Sequence, residues 1–250
     1  MSSVTPDRRT VIRTAAWAVP AVTLATTAPA FATTPPACMT AANPVTWQTF
    51  SLTIYSRVRT LVTSPITNRT DGVSRVVYSF TVPQFVRAGS TVAAQPLSYT
   101  STLSTADTSS AYSAGGRTVQ SGYVNVGFNY GAGLSATSSS VRMDLNPGNV
   151  TMPSSGQLTT TFTGTMPALT AQAPGTYQLA FAVPPEPVES NAATWNGEQK
   201  VKSNIFGIVA TARVHSMTPT VIPADKPNDW GTAGQSQSLI IANYTVVPSC

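Results

Sequence analysis

The sequence predicts an all-β fold, an antiparallel β-sandwich of eight or nine strands with immunoglobulin-like or jelly-roll topology. Three observations predict it. Apolar residues recur at every second position after Val45, no segment sustains a 3.6-residue period, and turn-forming clusters punctuate the alternating runs. Successive side chains of a strand point to opposite faces, so a period of two marks an element with one face buried.

The elements follow in chain order. Phe50, Leu52 and Ile54 alternate with Ser51 and Thr53, and Trp47 in the same run is expected in the core. Val76, Tyr78, Phe80 and Val82 alternate with Val77, Ser79 and Thr81. Val124, Val126, Phe128 and Tyr130 alternate with Asn125, Gly127 and Asn129. Further strands are expected at Val141–Leu145, Leu158–Phe162, Tyr177–Val183, Ile205–Val214 and Leu239–Val247. Asp71-Gly72, Asn146-Pro147-Gly148, Pro174-Gly175, Pro184-Pro185 and Asn196-Gly197 supply the turn chemistry between them. Residues 88–118, rich in Ser, Thr, Ala and Gly, read as a long loop or as weak edge strands. Only three strands follow Pro174, too few for an independent sandwich. A single domain is therefore expected over 45–250, preceded by an extended segment over 33–44.

The first 32 residues read as an export signal. Arg8, Arg9 and Arg13 make a basic start, a mildly apolar run from Ala15 to Ala28 follows, and Ala30-Phe31-Ala32 ends it in the small-x-small pattern of a cleavage site. The adjacent arginines followed by Val11 and Ile12 have the form of a twin-arginine signal, with Asp7 in the place usually held by Ser or Thr. Pro20, Pro29 and the interrupting threonines argue against a membrane anchor, which needs about 20 strongly apolar residues. The string RRTVIRTAAWAVPAV…APAFA resembles the leaders of uncharacterised exported proteins of high-GC actinobacteria, an origin that the presence of only three lysines (Lys200, Lys202, Lys226) also suits. The string PALTAQAPGTYQLAF, residues 167–181, is similar to the proline-glycine turn that enters a late strand in immunoglobulin-like bacterial surface domains. That resemblance implies binding, spacing or adhesion and carries no catalytic residue with it. The expected location is secreted or extracellular, with any cell-surface association non-covalent and the membrane involved only during export.

Composition narrows the partners. Charged residues are 9% of the chain, against about 25% in ordinary soluble domains. Beyond residue 32 the chain carries 11 basic and 8 acidic residues, with no cluster of Lys or Arg longer than a pair. Nucleic acid is thereby excluded as an expected partner. Two cysteines remain, Cys38 and Cys250, and in an oxidising compartment they pair most simply with each other, bringing the two ends of the domain together.

Chemistry is sparse. The lone histidine, His215, with Asp225 or Asp229 behind it, could serve a serine nucleophile, but neither a Gly-x-Ser-x-Gly elbow nor a Ser-x-x-Lys pair is present. The acids, including Glu186 and Glu189 in a proline-rich stretch, sit mostly beside turn-forming residues, as solubilising carboxylates do. Asp144-Leu-Asn-Pro-Gly-Asn149 echoes a calcium loop but misplaces its glycine and lacks the closing glutamate. No catalytic residue, metal or cofactor is expected. Trp195, before Asn196-Gly197, and Trp230, in Asn228-Asp229-Trp230-Gly231, are the candidate ligand surface, since an indole in a polar loop stacks on sugar rings or anchors a protein. The function expected is non-enzymatic surface presentation to a cell-wall glycan or an extracellular protein. A carbohydrate-binding module built on the two tryptophans and a secreted hydrolase are the alternatives.

Overall fold

A long hairpin organises the molecule. In a computed structural model, which describes residues 34–64, 68–182, 196–204, 207–216 and 240–250, strands β1 (Val45–Ser64) and β2 (Asn68–Arg87) pair antiparallel from Val45↔Val86 to Val62↔Asn68. Asp71-Gly72 is not a turn: it lies inside β2, opposite Arg59 and Val58 of β1. Local turn propensity yields there to a continuous ladder on the partner strand.

Eleven further strands follow: β3 (Thr91–Val92), β4 (Gln95–Leu103), β5 (Gly116–Asn129), β6 (Ser138–Leu145), β7 (Val150–Thr151), β8 (Leu158–Met166), β9 (Leu169–Thr170), β10 (Gly175–Ala182), β11 (Gly197–Ser203), β12 (Val209–Ser216) and β13 (Ile240–Val247). The expectation of an antiparallel sandwich of eight or nine strands is overturned. Seven strands close on one another in the order β2-β4-β8-β6-β5-β10-β13 and back to β2, forming a barrel, and the closing pair β13–β2 is parallel. Four strands are added to this ring: β12 pairs with β1 and β11, β11 pairs with β5, and β7 pairs with β5. β3 and β9 form a separate two-stranded sheet.

The reason for closure is that two strands each serve two neighbours along one edge. β2 pairs with β4 over Ser74–Phe80 and then with β13 over Phe85–Arg87. β5 pairs with β11 over Gly116–Val124 and then with β10 over Gly127–Asn129. A sheet whose long strands change partners in this way curls onto itself instead of stopping at an edge.

Alternation does place the core where the sequence put it. Phe80, Phe128, Phe162, Phe181, Leu97, Met143, Val76 and Val246 are all buried almost completely, and they come from all seven ring strands. Tyr78 of β2 meets Phe181 of β10 with ring centroids 4.6 Å apart, and Phe128 meets Phe181 at 5.5 Å. Each such side chain stabilises the fold by roughly 1.5–3 kcal/mol through removal of apolar area from water.

Residues 88–118, expected as loop or weak edge, instead contain β4 and the helix α1 (Thr105–Ser113). Ser104 caps the helix, its Oγ accepting from Asp107 N at 3.1 Å and donating to Asp107 Oδ2 at 2.6 Å. Thr108, fully buried, accepts from Leu158 N at 3.1 Å and ties α1 to the start of β8. A second apolar cluster of Val119, Met152 and Leu158, with Ala111 and Tyr112 of α1 against it, lies beneath the helix.

Candidate functional surface

Among the described residues, buried side chains from all seven ring strands fill the interior. A cleft bordered by Trp47, Val82, Pro83, Met166, Leu179 and Tyr244 has a free volume of about 20 Å³. That holds one water-sized group, whereas small-molecule sites run to about 300 Å³ and more. Trp47 is 36% exposed, not core as expected, because Gln48 and Phe50 take the inward positions of β1 and parity sends Trp47, Thr49 and Ser51 outward. Strict parity counted back from Phe50 would have found this.

Several of the polar groups inside are tyrosines. Tyr244 donates to Tyr130 O, Tyr130 and Ser139 share a hydrogen bond of 2.7 Å, and Tyr177 stacks on Tyr244 at 5.6 Å. Burial raises the phenol pKa of Tyr78, with the neighbouring Tyr99 adding to it. Burial also raises Tyr130, partly offset by Ser139, and raises Tyr244, reinforced by Tyr177. These phenols stay protonated and act as packing and hydrogen-bonding groups.

Outside, β1, β2, β4 and β8 present a face rich in hydroxyls, interrupted by Val77 and Pro96. Ser51, Ser79, Ser98 and Thr163 lie in one row across the four strands. Thr49–Thr81 (3.0 Å), Thr100–Thr161 (3.2 Å) and Thr102–Thr159 (3.2 Å) pair across strands through their hydroxyl oxygens. Adjacent strands bring these groups about 4.8 Å apart. Charge appears at the rim, in Arg75 and in the exposed pair Arg142–Asp144, bonded at 2.9 Å.

The sequence-predicted residues separate cleanly. Cys38 and Cys250 are joined in a disulfide with Cα atoms 5.2 Å apart, and this marks an oxidising compartment. Arg8, Arg9, Arg13, Ala30, Ala32, Trp195 and Trp230 lie outside the described residues, as do Glu186, Glu189, Asp225 and Asp229. His215 is on β12, registered with Arg59 of β1. The acids Asp107, Asp144 and Glu198 are committed: Asp107 to the cap of α1, Asp144 to Arg142 and Glu198 to Lys200 at 2.9 Å. The Asp144–Asn149 stretch makes a turn in which Asn146 N donates to Thr161 O at 2.8 Å. Among the described residues no three His, Cys, Asp or Glu side chains gather as metal ligands, and no helix is long and apolar enough to cross a membrane. The hydroxyl face was missed because single Ser and Thr residues carry no signal until the register aligns them.

A closed mixed β-barrel with a filled interior, a hydroxyl-lined outer face and a disulfide between its ends defines a class of β-barrel proteins. Within that class the chain belongs to the family of unknown function DUF6801, whose model matches residues 63–206. No curated protein and no solved structure matches the chain.

Proposed function

We propose that this is an exported, non-enzymatic protein that acts by presenting its outer surface to a neutral partner, a cell-wall glycan first of all. One observation carries the reading: among the described residues, buried side chains from all seven ring strands fill the barrel interior, and the cleft at its margin has about 20 Å³ of free space, so interaction falls to the outside. The outer face of β1, β2, β4 and β8 supports a neutral, hydrogen-bonding ligand, since its hydroxyls carry no charge and retain donor and acceptor capacity. Export rests on the leader and is supported by the disulfide.

The test is a glycan array with cell-wall fragments, probed with protein from Thr33 onward. Binding is expected, and it should survive a change from about 0.05 to about 0.5 M salt, because screening weakens charged contacts and leaves hydroxyl contacts intact. Binding that collapses with salt would assign the interaction to the rim charges instead. Absence of binding to every wall fragment, or turnover of a screened substrate abolished by His215→Ala, would overturn the reading.

A further inference from the structure

We propose that the Cys38–Cys250 disulfide is a thiol-sensitive latch on the barrel seam, and that its reduction opens the barrel between β2 and β13. This stands apart from surface presentation and can fail or hold independently of it.

Among the described residues the seam is one of the three shortest joints in the ring, with β5–β10 and β6–β8, and the parallel one. β13 meets β2 in register only at Thr245↔Phe85, Val246↔Val86 and Val247↔Arg87, whereas β4 meets β8 at nine positions and β2 meets β4 at seven. One further bond extends the three-position ladder, and a clasp between the chain ends lies beside it. Ala88 N donates to Val247 O at 2.9 Å, Met39 N to Pro248 O at 3.0 Å, and Cys250 N to Met39 O at 3.2 Å. Two of these three bonds involve residues that the disulfide itself holds in place. Gln48 spans the same joint from β1, its Nε2 donating to Pro83 O of β2 and to Asn243 O of β13, both at 2.9 Å. Its Oε1, and Nε of Arg87 opposite Val247, are buried with no hydrogen-bond partner among the described residues. Both belong to residues at this seam, so two buried side-chain polar atoms there contribute nothing to holding it closed.

The latch is reachable. Cys250 is exposed and Cys38 half-buried, and exposed disulfides are the ones thiols reduce. A dithiol reductant attacks one sulfur as thiolate and forms a mixed disulfide. Its second thiol then displaces the protein sulfur. Cys38 and Cys250 leave as two thiols, having gained two electrons and two protons, and the reductant leaves as its own cyclic disulfide.

Opening has a defined consequence. The small cleft is walled by Trp47, Val82 and Pro83 on the β1–β2 side and by Leu179 and Tyr244 on the β10–β13 side. Parting these walls joins the cleft to Val86 and Val246, which are 0% and 1% exposed in the closed barrel.

Amide hydrogen exchange on oxidised protein, and on protein reduced with dithiothreitol and then reoxidised, tests this. Reduction is expected to speed exchange about tenfold or more at Met39 and across Asn243–Val247, with β4 and β8 unchanged. It is also expected to raise the fluorescence of an apolar dye, and reoxidation should reverse both effects. Uniform acceleration through every strand would overturn the proposal, because the bond would then staple the whole fold and not one joint. Unchanged exchange at the seam would overturn it equally. The double variant Cys38→Ser, Cys250→Ser should reproduce the seam-limited pattern with no reductant present.

Discussion

Gln48 shows how a single polar side chain can serve a place where sheet geometry leaves gaps. It is 6% exposed, and its amide satisfies carbonyls on two strands that do not share a full ladder. Gln48→Leu should lower stability by about 1–3 kcal/mol, read as a lower urea midpoint with unchanged slope. Thr49→Val, one position along and outward-facing, should stay within about 0.5 kcal/mol. Gly133 is a second site where size decides: a Cβ there would collide with the Tyr177 ring and lie 2.6 Å from the Tyr244 hydroxyl. Gly133→Ala should destabilise by about 1–3 kcal/mol and perturb the near-ultraviolet circular dichroism of the tyrosine stack. The buried phenols set an alkaline limit. Tyr78, Tyr130 and Tyr244 have raised pKa values in the fold, so the folded state holds protons that the unfolded chain releases near about pH 10. Their contribution is complete below that pH and falls as pH rises through the folded values. Urea midpoints should therefore be flat to about pH 9 and drop by about pH 11, with tyrosinate absorbance appearing late.

At the scale of elements, the visible ones are those whose inward positions are apolar. β2, β5, β6, β8, β10 and β13 were legible from alternation because Val, Tyr, Phe, Met and Leu fill one parity. β4 was not, since its inward set is broken by Ser101, a buried hydroxyl that meets Ser74 of β2. α1 was invisible for another reason: only Thr108 among its nine residues is buried, so no apolar stripe exists to read. Its signal lay in the cap, Ser104 with Asp107 three residues on. Ser104→Ala should cost about 1 kcal/mol, seen as loss of exchange protection in α1 before the strands. β11, Gly197–Ser203, alternates charged residues with others that are only half-buried and gave no periodic trace either.

For the whole molecule, the barrel core is one connected cluster beside the smaller one under α1, so its disruption is global. Phe181 of β10 touches Phe128 on the neighbouring strand β5 and Tyr78 of β2, on the far side of β13. Phe181→Ala should lower stability by about 3–5 kcal/mol in chemical denaturation, with secondary structure and tertiary packing lost in one transition.

Strand content, the inward parity of most strands and the Cys38–Cys250 pairing were determined by the sequence itself, because each rests on local spacing or on the count of cysteines. The closed barrel, the parallel β13–β2 joint, the outward place of Trp47 and the hydroxyl face were decided only by tertiary structure. Periodicity says which side of a strand meets the core. It carries no information on which distant strand lies alongside, and a long strand that changes partner midway turns what reads as two open sheets into a ring.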